Sequence, residues 1–98
     1  MSRRRYLVGY DISDATRLRK VHEVVKGYGY SLQYSLFICD LSEMEKIGLR
    51  SDLGRVIRFT EDSIAIVDLG DASSRGMQCF EFMGLRPRLP TSGGPTIV

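Results

Sequence analysis

The sequence predicts a small α+β domain in which two helices cover one face of an antiparallel sheet. Three observations carry that prediction. Short apolar runs of strand length alternate with two segments of helical periodicity, each helical segment opens on a capping signal, and the chain is only 98 residues long. A hydrophobic fraction of 43% and a charged fraction of 27% suit a folded globular domain and exclude wholesale disorder. No apolar run approaches the roughly 20 residues of a membrane span. The basic start Ser2-Arg3-Arg4-Arg5 runs into Gly9, Tyr10 and Asp11, with no h-region and cleavage site, so the expected location is cytoplasmic with no membrane partner.

The first strand is Arg5-Tyr6-Leu7-Val8-Gly9-Tyr10-Asp11, an apolar run that ends abruptly on a carboxylate. Asp11 either closes the strand and helps the turn or stands at the strand end as a chemical group. Ser13 or Asp14 caps a helix running from about Asp14 to Lys26, with Leu18, Val21, Val24 and Val25 as its inward stripe and Gly27 and Gly29 as a left-handed stop. The lone His22 has no second His or Cys at a useful spacing and reads as a surface residue or one satisfied by a neighbour.

Residues 30–41 alternate with period two, placing Leu32, Tyr34, Leu36 and Ile38 on one face and Gln33, Ser35, Phe37 and Cys39 on the other. They form one long strand, or two with a bend near Tyr34-Ser35. Ser42-Glu43-Met44-Glu45 has capping-box form and starts a second helix with Leu49, Leu53, Val56 and Ile57 inward. Gly48 and Gly54 weaken that helix by about 1 kcal/mol each relative to Ala. Ser63 to Leu69 is a nearly continuous apolar strand, and residues 70–76 are a loop.

Residues 77–83, with Phe80 and Phe82 on one face, read as a late additional strand closing a single domain over 1–83. The stretch 84–98 holds Pro87, Pro90, Pro95 and Gly93-Gly94 and reads as a flexible or partner-ordered tail. The order is therefore βαββαβ, ferredoxin-like, with an extra C-terminal strand. A strand added so late to so small a domain points to pairing outside its own chain, hence a homodimer. Cys39 and Cys79 match no metal-ligand spacing and read as free thiols.

Charge is uneven along the chain. Residues 1–30 carry seven Arg/Lys against three acids, and residues 31–70 carry four against seven. That balance suits either a polyanion contacting the first helix or a solvated basic face.

The ordered set Tyr10-Asp11-Ile12, Arg17-Leu18-Arg19-Lys20-Val21, Gly27-Tyr28-Gly29, Gln33-Tyr34-Ser35-Leu36-Phe37 and Asp62-Ser63-Ile64 resembles the CRISPR-associated protein 2 family, the small dimeric subunit of the spacer-acquisition machinery. The resemblance spans about Tyr6 to Leu69. It implies a homodimer and two activities: a metal-dependent endonuclease acting on single-stranded RNA or double-stranded DNA, and a non-catalytic adaptor gripping prespacer DNA beside the integrase subunit. It places the catalytic and metal carboxylate on Asp11, with Mg²⁺ or Mn²⁺ held between the two Asp11 side chains of a dimer. Nucleic-acid contacts fall on Tyr10, Arg17, Arg19 and Phe37. Two positions depart from the pattern: Ser31 stands where some members have Arg, and Ile38 stands where an acid usually follows the strand Phe. The arginines would position phosphates, and Tyr10 or Phe37 would stack on an unpaired base or else pack in a core or interface.

Overall fold

A computed structural model describes residues 3–89 of the chain. Strand β1 (Arg4–Asp11) is followed by helix α1 (Ala15–Lys26), the hairpin β2 (Tyr30–Gln33) and β3 (Leu36–Leu41), helix α2 (Glu43–Gly54), strand β4 (Ser63–Asp71) and a single turn of helix, α3 (Arg75–Gln78). The four strands form one antiparallel sheet in the order β2-β3-β1-β4. This is the ferredoxin-like order expected from the sequence, and the bend at Tyr34-Ser35 splits the long alternating run into a hairpin.

Alternation along the strands divides the sheet. Tyr6, Val8, Tyr10, Phe37, Cys39 and Leu41 face the helices and pack with Val21 and Val25 of α1 and Leu49 and Leu53 of α2 in one buried cluster. Arg5, Leu7, Gly9 and Asp11 fall on the opposite face, which α1 and α2 do not cover. On that face the Arg5 guanidinium is buried against Asp40, its cross-strand partner, with Nε and Nη2 donating to the two carboxylate oxygens at 2.7 and 2.8 Å. Arg5 Nη1 also donates to the Gly76 carbonyl at 3.0 Å, which ties α3 to β1. A side chain at Gly76 would meet both the Arg5 Cβ and the Asp71 carbonyl, so only glycine lets the turn sit this close. A bidentate pair whose third nitrogen also donates is the form in which a buried charge is tolerated.

Several local expectations change. Of the two expected caps Asp14 is the one used, its carboxylate accepting from the Arg17 backbone N–H at 2.9 Å, whereas Leu18, expected inward, lies on the exposed side. Gly27 ends α1 in the right-handed region with φ −76°, so no left-handed stop is used there. Gly29 is required for another reason: a Cβ would collide with the Ile38 carbonyl and the Cys39 sulfur where the chain turns into β2. Strand β4 runs on through Gly70 and Asp71, with Gly70 at φ +97°. Val56 and Ile57 pack on the core just beyond the end of α2.

The late strand expected over 77–83 is absent from the single chain. Residues Arg75–Gln78 make a helical turn, fixed by the Asp71–Ser73 side-chain turn and by the Arg5 bond to Gly76, and residues 79–89 join no ladder among the described residues. A strand exists only by pairing, and this segment has no partner strand among the described residues. Of the tail, residues 84–89 are irregular, and 90–98 lie outside the described residues.

Candidate functional site at the end of β1

The carboxyl end of β1 is fixed by its neighbour β4. Asp11 occupies the last rung of the β1–β4 ladder, opposite Ser63. Its side chain is exposed and makes no hydrogen bond or ion pair among the described residues. Tyr10, one residue earlier, points to the helix side and is only 9% exposed. Its hydroxyl lies 3.0 Å from His22 Nδ1, and burial raises its pKa above the ordinary tyrosine value. Phe37, 1% exposed, stacks against Tyr10 with centroids 6.3 Å apart and meets the His22 ring edge-on at 5.4 Å. His22 is thus satisfied by a neighbour. Neither Tyr10 nor Phe37 offers a ring face to a nucleobase in this chain, because alternation turns both toward the helices.

Arg17 and Arg19 separate as well. Two positions along a helix turn about 200° around its axis, so the two guanidinium groups do not share a face. Arg19 is exposed and makes no ion pair among the described residues. Arg17 is engaged: Nε donates to Asp62 Oδ2 at 2.8 Å, and Nη2 donates to Asp62 Oδ1 at 3.1 Å, Glu61 Oε1 at 3.0 Å and Ser13 Oγ at 3.2 Å. The Asp62 side chain is fully buried and also accepts from the Ser13 N–H, the Ser13 hydroxyl and the Arg58 N–H. The Arg17 hydrogen bond, foremost among these, holds the Asp62 carboxyl well below the usual carboxylate range, and Asp62 in turn raises the Arg17 pKa.

Ser13, Glu61 and Asp62 were not singled out as site residues from the sequence. Asp62-Ser63-Ile64 is visible as a pattern, yet nothing in one chain of letters says that Asp62 bonds residues some 45 positions away. Cys39 takes no part: burial, and then the nearby Asp40 charge, push its thiol up to about 12. Among the described residues no group of three or more His, Cys, Asp and Glu side chains could hold a metal.

The model of the family described as CRISPR associated protein Cas2 matches residues 4–77. The chain is 38% identical over 68 residues to the CRISPR-associated endoribonuclease Cas2 2 of Thermodesulfovibrio yellowstonii, covering 69% of this chain and 75% of the relative. It superimposes on a hypothetical protein from Thermus thermophilus with a TM-score of 0.75 and 31% identity, covering 88% of this chain and 96% of the other. It superimposes on Streptococcus pyogenes Cas2 with a TM-score of 0.71 and 28% identity, covering 82% of this chain and 99% of the other.

Proposed function

The chain belongs to the CRISPR-associated Cas2 family, and from that membership and the placement of Asp11 we propose that it is a divalent-metal-dependent endonuclease of CRISPR adaptation, working as a homodimer. The observation that carries the reading is Asp11 itself, a carboxylate held at the last rung of a strand ladder and left unengaged among the described residues. A buried, hydrogen-bonded carboxylate such as Asp62 has its lone pairs occupied, whereas Asp11 keeps its oxygens free for a cation.

The donor set fits Mg²⁺ or Mn²⁺ as half a site. These hard ions take oxygen ligands, often one or two carboxylates completed by water and substrate phosphate. Asp11 is one carboxylate per chain, so the second would come from the Asp11 of another copy, across the face of the sheet that α1 and α2 leave uncovered. When bound, the ion supplies Lewis-acid stabilisation of phosphoryl charge and a water of lowered pKa. The contribution of this chain is to present Asp11 on a paired strand, while exposed Arg19 on α1 is an unengaged cation among the described residues that can meet a phosphate oxygen. The phosphodiester substrate is single-stranded RNA or duplex DNA. Such work belongs in the cytoplasm, and no described helix is long and apolar enough to cross a membrane.

A second reading is favoured by the burial of Tyr10 and Phe37. With both rings turned inward, contacts to nucleic acid rest on backbone phosphates, as in a non-catalytic adaptor that grips a prespacer duplex beside the integrase subunit. Exposed Arg19, Lys20 and Lys26 on α1 supply cations for it.

One paired experiment separates the two. Cleavage of labelled RNA and duplex DNA, with and without Mg²⁺, and spacer acquisition in cells are each measured for the parent and Asp11→Ala. The endonuclease reading expects cleavage to fall at least about 100-fold in Asp11→Ala and to vanish on chelation, while the dimer and thermal midpoint persist. Equal cleavage by both proteins overturns it. Acquisition that survives Asp11→Ala but is lost on neutralising Arg19 and Lys20 assigns the adaptor role.

A further inference from the structure

Arg17 is a cation on the first helix, and its obvious use is to meet phosphate. Its surroundings indicate a different use. Nε, and Nη2 through three bonds, are directed at Asp62, Glu61 and Ser13, all within 2.8–3.2 Å. A guanidinium held by two carboxylates has little positive field left for a third anion.

What that cluster holds together is the end of the β1–β4 ladder. Asp11 and Ser63 form its last rung. The chain leaves β1 through Ile12 and Ser13 and enters β4 through Glu61 and Asp62. Immediately beyond the rung, Asp62 bonds the Ser13 backbone N–H at 3.1 Å and its hydroxyl at 3.2 Å, bridging the two departing segments. On its other oxygen Asp62 accepts the Arg58 N–H at 2.8 Å and returns its own N–H to the Arg58 carbonyl, closing the turn that delivers β4. Arg17 then fastens this knot to α1, whose first turn Asp14 caps. Strand ends normally fray, and a side chain such as Asp11, with no partner among the described residues, takes its direction from the backbone.

We propose that Asp62, clamped by Arg17 and Ser13, is a positioning residue that fixes the backbone at Asp11 so that its carboxylate is preorganised for a divalent cation, and that Arg17 acts through this clamp and not as a phosphate contact. The inference rests on the reading of Asp11 as a metal carboxylate. Partners that orient a ligand without touching the metal typically change affinity about 10–100-fold when removed.

The test uses the full chain and Mn²⁺ alone as probe, with affinity read by the loss of the free-ion electron paramagnetic resonance signal. RNA cleavage is measured in parallel at saturating Mn²⁺. The variants are Asp11→Ala, Asp62→Asn, Arg17→Lys and the Asp62→Asn/Arg17→Lys double variant. Asn keeps the size of Asp62 but turns an N–H₂ toward one set of donors, and Lys keeps the Arg17 charge while losing its fork. Mn²⁺ affinity is expected to fall about 10-fold in Asp62→Asn and by a similar or smaller factor in Arg17→Lys, with no further loss in the double variant. Cleavage should recover substantially at saturating Mn²⁺, with an unchanged KM for RNA. The clamp is overturned if Asp62→Asn and Arg17→Lys bind Mn²⁺ like the parent while Asp11→Ala does not, or if Arg17→Lys raises only the KM for RNA. Should Asp62→Asn fail to fold, Arg17→Lys with Ser13→Ala decides the same question. If Asp11→Ala itself binds Mn²⁺ like the parent, the metal reading of Asp11 fails, and the clamp's proposed purpose fails with it.

Discussion

Asp62 is the residue on which the local electrostatics of this protein turn. Five hydrogen bonds from Ser13, Arg17 and Arg58 stabilise its ionised form, and all five belong to the folded chain. An Asp in the unfolded chain titrates near ~3.9. In the fold its carboxyl is held well below that, the Arg17 hydrogen bond being the foremost cause. The folded pKa is depressed, so the stability contributed by Asp62 is fully present above the unfolded value and is lost as pH falls toward the folded one. Asp14, Glu45, Asp68 and Asp71 shift in the same direction, so the whole protein weakens in acid. The share of Asp62 is isolated by comparison with Asp62→Asn, which has no proton to gain. At pH 7 the parent should melt above the variant, and the gap should narrow as pH falls from about 4 to 2.5, measured by circular dichroism. A gap that stays constant with pH would mean that the ionised carboxylate contributes nothing particular.

The elements differ in how plainly their letters announce them. Helix α2 was legible because its start signal is local: Ser42 accepts from the Glu45 N–H at 3.2 Å while the Glu45 carboxylate reaches back to the Ser42 N–H at 2.8 Å, the reciprocal pair the four letters predict. With Gly48 and Gly54 inside the helix, that cap matters more than usual. Ser42→Ala should cost about 1 kcal/mol, a fall of roughly 4–8 °C in thermal midpoint for a domain of this size, and Ser42→Asp should restore most of it. Strands β1 and β4 were legible as short apolar runs of strand length bounded by polar turns. Two things were not. Phe37 and Tyr10 could be placed on strands, but which face the helices would cover is decided by packing with Val21, Val25 and Leu49, remote in sequence. Arg17 looked like a free cation because its partners lie across the fold, and the same distance hid the Arg5–Asp40 pair. Asp11 was found for the opposite reason: its position depends only on where β1 ends.

At the scale of the whole molecule, the single chain is unfinished. The sheet has two edges, β2 and β4, and among the described residues nothing pairs with the outer side of β4. Beyond Gly76, which Arg5 anchors to the sheet, the chain carries apolar side chains that its own core does not take up: Met83 and Leu85 are 97% and 98% exposed, and Phe80 and Phe82 stack on each other 5.8 Å apart. A long unpaired edge next to an unplaced apolar segment is a liability in isolation. In the proposed homodimer the segment 79–83 of one copy adds to the β4 edge of the other, which turns both liabilities into interface and brings the second Asp11 to the shared face. The exchange predicts that a chain ending at Met77, which retains the Gly76 anchor, sediments as a monomer at concentrations where the full chain is dimeric. The full chain with Phe80→Asp and Phe82→Asp should behave likewise, because the β4 edge stays open in both. Since one carboxylate per chain makes only half of the proposed site, these monomers should also bind Mn²⁺ weakly while keeping a circular dichroism spectrum of the parent's shape. Dimers that persist in both variants would show that the copies meet elsewhere and that the late segment has another use.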